Sequence, residues 1–283
     1  MGPRVLLRSE SVETILAWAA RRNPTLNGSR AAQSLYDLDM NSVTRAALLA
    51  GIASAAAVAA ATVAPWYYQP RTLTRAMQKR WGYGALFEVD TDEPLFALTF
   101  DDGPHPPYTD AVLDALAAHD AKATFFCMGE QIERHPATFA RIIADGHEVG
   151  NHFWDDRAGV TLTGDETVVS LERTEALIDD ANPARLARPA SGFIRAEQRR
   201  LLDERGYQIV IGSAYTSDAT NPPASYMKWA LKQMLEPGRI VILHDGRKHR
   251  QRTVEVLPDV LDEAARLGLR AVTVSQLMAA ARS

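Results

Sequence analysis

The stretch Leu95-Phe96-Ala97-Leu98-Thr99-Phe100-Asp101-Asp102-Gly103-Pro104 decides how this chain is read. Its first half is apolar and suits a buried strand. Its second half stops in two adjacent carboxylates and a Gly-Pro break. In α/β proteins the chemistry collects where strands end, at the carboxyl edge of the sheet. Successive residues near a strand end point in different directions, so one carboxylate can hold a metal while the other faces a substrate. Asp-Gly-Pro is also ordinary turn chemistry, so this stretch needs the rest of the chain behind it.

Working outward, apolar runs of strand length recur at 95–100, 123–127, 148–152, 186–189, 207–212, 239–244 and 269–274. Between them lie stretches with apolar residues three and four apart, such as 111–119 and 254–267. Gly146, Gly206, Gly238 and Gly268 precede strands, as stops at helix carboxyl ends should. Strand–helix alternation of this kind predicts parallel βα units. Seven units predict a distorted seven-stranded (β/α) barrel over residues 94–283, preceded by an Ala-rich apolar segment.

The polar residues fall in step with that alternation. Asp101 and Asp102 end the first strand, and His152 the third, within Gly150-Asn151-His152-Phe153-Trp154-Asp155-Asp156. Arg188 lies near the end of the fourth, Asp218 follows the fifth, and His244-Asp245-Gly246 ends the sixth. Taken singly, each has a bland reading as a structural histidine, a solvated loop or a turn. A single barrel would bring them all to one rim.

Composition narrows the function class. Of 283 residues 46% are apolar, enough for a real core, and the net charge of -4 offers no basic excess for nucleic acid. Cys127 is the only cysteine, so no intrachain disulfide can form. It reads as a small buried hydrophobe. Residues 1–45 carry no legible chemistry. Residues 46–64 are uncharged, Ala-rich and about the ~20 residues a membrane-spanning helix needs. Trp66, Tyr67 and Tyr68 follow as an interfacial belt would. Read from Met40, the same segment is a signal-peptide h-region ending at Thr62-Val63-Ala64. A soluble Ala-rich helix is the third reading, and the basic residues Arg71, Arg75, Lys79 and Arg80 beyond the segment oppose the membrane orientation. Export, membrane-anchored or secreted, is the expectation taken forward. Residues 65–93 read as a connector.

Thr99-Phe100-Asp101-Asp102-Gly103-Pro104, Gly150-Asn151-His152, Arg188-Pro189 with Gly192, Asp218, and Leu243-His244-Asp245-Gly246 together resemble the polysaccharide deacetylase family. This is the homology domain of chitin, chitooligosaccharide and peptidoglycan deacetylases. The resemblance covers about residues 93–283. It implies a distorted (β/α) barrel, one divalent metal ion (Zn²⁺, with Mn²⁺, Co²⁺ or Mg²⁺ as substitutes) and an acetylated glycan as substrate. It implies Asp101 as general base, Asp102 and His152 as metal ligands, and Arg188 as the residue that orients the base. His244 becomes the general acid and Asp218 the carboxylate that tunes it. A backbone N–H such as that of Ser191 would face the oxyanion.

The sequence departs from the family pattern in three places. Asp156 stands where a second metal-binding histidine is usual, so the implied ligand set is Asp102, His152 and Asp156. An oxygen-rich set of this kind moves preference toward harder ions. Ser191 replaces an aromatic and Ala219 a Trp, which leaves the glycan open. A membrane-attached carbohydrate-binding protein with an inactive site is the alternative. A Mg²⁺-dependent phosphohydrolase is a third reading, and Gly103-Pro104-His105-Pro106-Pro107 makes a poor phosphate cradle.

Overall fold

The computed structural model describes residues 69–81 and 84–282. Residues 1–45 and the apolar segment 46–64 lie outside the described residues, and so do the expectations placed on them. Among the described residues, no helix is long and apolar enough to cross a membrane.

Eight strands form one parallel sheet: β1 (Leu95–Asp101), β2 (Thr124–Cys127), β3 (Glu148–Asn151), β4 (Leu186–Ala187), β5 (Gln208–Ile209), β6 (Ala214–Tyr215), β7 (Ile240–His244) and β8 (Arg270–Val272). Their order is β5-β4-β3-β2-β1-β7-β6, with β8 also on β1. The sheet curls into an incomplete barrel with the helices outside. All seven expected runs contain a strand. The eighth, β6, follows Gly212 and pairs with β7 through Ala214–Val241 and Tyr215–Ile242.

Every residue of β1 is buried, as expected of a parallel strand covered on both faces. Side-chain alternation then sorts the strand. Phe96, Leu98 and Phe100 join the large outer core, packed among Val112, Leu116, Val256 and Leu257. Those partners come from α2 (Tyr108–Ala118) and α8 (Gln251–Arg266). Along α8 the buried positions Thr253, Val256, Leu257, Val260, Leu261 and Ala264 recur at helical spacing. Leu95 and Ala97 face the barrel interior with Phe126, Leu186, Val210 and Ile240. Thr99 and Asp101 continue that inward row toward the carboxyl rim. Asp102 leaves it in a left-handed turn, φ 73°.

Of the expected 65–93 connector, the described residues 69–81 and 84–93 pack against the barrel. Helix α1 (Arg71–Trp81) lies over the amino-terminal side of β7. Arg239, 1% exposed, donates to Thr74 Oγ1 at 2.9 Å and to the Gln69 carbonyl at 2.5 Å. Its ion pair with buried Glu88 spans 3.6 Å. Glu88 also pairs with Arg71 and Arg75 of α1. The end strands β5 and β6 do not pair with each other. The passing chain spans that seam, bridging Leu86 to Val210 and Glu88 to Arg239. Sequence periodicity misses this segment because two isolated bridges leave no strand-length apolar run.

Candidate active site

The rim is built by register. Asp101 lies opposite His244 on one side and Phe126 on the other. Cys127 lies opposite Asn151, and Asn151 opposite Ala187, which places His152 and Arg188 at the next step outward. The sheet thus brings together side chains 87 positions apart, Asp101 at the end of β1 and Arg188 just past β4.

Asp101 and Arg188 form the most buried charged pair of the rim. Arg188 Nη1 donates to Asp101 Oδ1 at 2.6 Å and to Thr99 Oγ1 at 2.8 Å, and its Nε to the Val210 carbonyl at 3.0 Å. Its guanidinium carbon stands 4.1 Å from the Phe126 ring centroid. Burial pushes the guanidinium pKa down and Asp101 opposes the push; an arginine stays charged here. One Asp101 oxygen is therefore held by a fixed cation.

Asp102 and His152 form the second pair, with Oδ1 and Nε2 3.5 Å apart. His152 Nδ1 donates to the Arg188 carbonyl at 2.6 Å. A carbonyl only accepts, so Nδ1 carries a proton and, in the neutral imidazole, the lone pair on Nε2 faces the carboxylate. Two acceptors in that geometry need a proton or a cation between them. Burial opposes charge on Asp102, yet His152, His244 and Arg250 together hold its carboxyl below the usual range. Metal–ligand bonds of about 2.1 Å place two ligands of a tetrahedral ion about 3.4 Å apart. Asp102 and His152 fit a divalent ion on that measure. The histidine's backbone hydrogen bond is the usual support of a metal-binding imidazole.

Asp156, expected as the third ligand, is not brought to this pair. Its carboxylate is ion-paired with Arg247 across the rim. Among the described residues, no three His, Cys, Asp or Glu side chains converge as a metal-holding group. Asp155, one position earlier, accepts from Arg157 instead.

His244 and Asp218 form the third pair. Asp218 Oδ1 accepts from His244 Nδ1 at 2.8 Å, and Oδ2 accepts from the His244 backbone N–H at 2.8 Å and from Thr253 Oγ1 at 2.9 Å. This fixes the ring and leaves Nε2 to carry the titrating proton. Burial works against the imidazolium, but Asp218 and the carboxylates of Asp102 and Asp101 outweigh it and raise the His244 pKa to about 9. Burial likewise opposes the Asp218 carboxylate, and His244 with Thr253 holds it below its ordinary value.

Ser191 is exposed at the rim in a left-handed conformation, φ 65°, within the turn Ala190–Gly192.

Sequence reasoning assigned no role to Asp245, Arg247, Arg250, Thr99 or Thr253. Asp245 is fully buried and accepts from Thr109 Oγ1 at 2.5 Å. Burial pushes its carboxyl up to about 7 against that bond, with Asp102 and Asp101 adding to the rise. A Cβ on Gly103 would meet the Asp245 carboxylate at 2.5 Å, which is why glycine follows the paired aspartates. The motif His244-Asp245-Gly246 was the available signal for Asp245.

A curled parallel barrel with carboxylates, histidines and a buried arginine on its carboxyl rim defines a hydrolase of the barrel type. The sequence profile of the polysaccharide deacetylase family matches residues 88–210. A peptidoglycan-N-acetylglucosamine deacetylase of Bacillus cereus is 35% identical over 201 residues, covering 70% of this chain and 93% of that protein. A chitooligosaccharide deacetylase of Rhizobium leguminosarum bv. trifolii is 33% identical over 202 residues, covering 68% and 86%. The crystal structure of the Bc1960 peptidoglycan N-acetylglucosamine deacetylase superposes with a TM-score of 0.67 at 28% identity, covering 73% of this chain and all of that one. The chain belongs to the polysaccharide deacetylase family, and its class is that of the carbohydrate deacetylases.

Proposed function

We propose that this protein is a metal-dependent hydrolase that removes N-acetyl groups from a cell-wall-type glycan, with Asp101 as base and His244 as acid. The observation that carries this reading is the meeting of three pairs on one rim, Asp101–Arg188 and Asp102–His152 buried and His244–Asp218 with its imidazole partly exposed. Amide hydrolysis needs a proton acceptor for water, a stabilised oxyanion and a proton donor for the amine.

Asp101, with Oδ1 engaged by Arg188, offers its other oxygen to the attacking water and takes that proton. The carbon–nitrogen bond breaks as His244 Nε2 gives its proton to the departing nitrogen. Acetate and a free amine result. Asp102 and His152 would hold the divalent ion, which supplies polarisation of the acetyl carbonyl and a lowered pKa for water. Asp156 joins them only by releasing Arg247, so ion binding competes with that surface pair. The Ser191 backbone N–H is the protein's own donor toward the oxyanion. A polymeric cell-wall substrate places the site of action outside the cytoplasm.

Acetate release from chitooligosaccharides and from peptidoglycan fragments tests the reading, with metal content measured on the same preparation. Asp101→Asn should lose at least ~10²-fold in kcat while retaining its metal. Turnover of neither glycan by fully metallated protein would overturn the reading. The engagement of Asp156 by Arg247 favours a second reading, a glycan-binding protein without turnover. Saturable binding of those glycans with no acetate released would select it.

A further inference from the structure

Arg250 ends the basic run Arg247-Lys248-His249-Arg250 and sits at the amino-terminal cap of α8. Arg247 is half exposed at the rim, whereas Arg250 is 4% exposed. Its Nε donates to the Gly246 carbonyl at 2.7 Å, its Nη1 to the Ala219 carbonyl at 3.2 Å, and its Nη2 to Asp102 Oδ2 at 3.2 Å. Ala219 follows Asp218, and Gly246 lies two residues after His244. One planar cation therefore ties together the three loops that carry Asp102, Asp218 and His244.

We propose that Arg250 is a positioning residue for the metal centre: it occupies Oδ2 of Asp102, so that this carboxylate offers only Oδ1 to an ion shared with His152. The proposal rests on the reading above in one respect, that a divalent ion binds at Asp102 and His152.

The chemistry follows from the two oxygens. A free carboxylate binds a cation through one oxygen or both, and the groups behind a ligand decide which. Here Oδ2 is taken by a buried guanidinium and Oδ1 faces His152. A second contact reinforces the first. A Cβ on Gly246 would lie 2.0 Å from the Asp102 carbonyl oxygen, so the backbones of the two loops are in close contact. By fixing the Gly246 carbonyl, Arg250 also fixes the wall against which Asp102 rests. A lysine cannot reproduce this hold. Its single ammonium lacks the fork that reaches three acceptors in one plane.

The test uses the full chain loaded with Co²⁺, read by visible absorption and by equilibrium dialysis, with folding checked by circular dichroism. In Arg250→Met, Asp102 is released to bind through both oxygens. The cobalt bands should weaken as coordination number rises, and Co²⁺ affinity should fall by ~10–100-fold, the usual scale for losing a partner behind a ligand. Arg250→Lys should restore part of the affinity and give an intermediate spectrum. If Arg250→Met does not fold, Arg250→Lys carries the test alone, because it keeps the buried charge. Folded variants whose spectrum and affinity match the unsubstituted protein would overturn the proposal while leaving the metal site intact. Failure of the unsubstituted protein to take up Co²⁺ would overturn the metal reading, and this proposal with it.

Discussion

His244 is the residue whose chemistry depends most on one neighbour. With its pKa raised to about 9, it is protonated over the range in which a general acid is needed. As the proposed acid it must carry its proton to act, so activity should fall as pH rises through that value. A bound dication would lower the value. Asp218→Asn removes the principal attraction on the imidazolium and leaves the burial penalty, so the alkaline limb of the kcat–pH profile should move to lower pH. The same sign holds for stability. A histidine raised from about 6.5 contributes stability fully present below that pH and lost as pH climbs toward 9. Metal-free protein should therefore lose thermal stability between those values, and Asp218→Asn should flatten the loss. An alkaline limb at the same pH in both proteins would mean that another group protonates the amine.

At the scale of elements, the loop after β7 carries Arg247, whose pairing with Asp156 bears on the proposed ion site. Arg247 and Asp156 pair at partly exposed positions, 48% and 34%. Such pairs contribute ~0–1 kcal/mol. Arg247→Gln should free Asp156 and raise metal affinity by up to about fivefold, the factor that energy allows. Competition against a chromophoric chelator reads this directly, and weaker binding in the variant would exclude Asp156 as a ligand. The same loop shows where sequence legibility ends. The strands that end in Asp101 and His244 are legible because each is a bounded apolar run stopping at a polar residue, while those just before His152 and Arg188 are marked more by the polar residue that follows them. β6 is not, because Ala214–Tyr215 follows β5 with only a short stretch through Gly212 between them and no helix, and is held by its ladder to β7. Nothing in Arg247-Lys248-His249-Arg250 says which cation turns inward; that depends on Gly246 and Ala219 carbonyls supplied by the folded loops. Asp156 enters through the resemblance, as the residue in the place of a second histidine, and that correspondence carries no information about Arg247 across the rim.

For the whole molecule, α1 and the segment behind it hold the barrel shut at its seam. Arg239 is the cation on which that closure rests, with Thr74, Gln69 and Glu88 around it. Arg239→Met leaves buried acceptors without their donor and should cost on the order of 3 kcal/mol. The denaturant midpoint should fall while the folded fraction keeps its kcat, since no rim residue is touched. A midpoint unchanged from that of the parent would show that α1 does not contribute to the barrel's stability.

The central position of β1 has a consequence for when this protein can act. β1 is laid down early, yet it gains β7 only when residues 240–244 exist and β8 only at residues 270–272. Asp102 and its buried partner Arg250 are 148 residues apart along the chain. A chain on the ribosome that has not reached residue 244 has Asp101 without the strand partner His244 and Asp102 without Arg250. The rim is thus incomplete until residues 244 and 250 have been made, however early the paired aspartates appear.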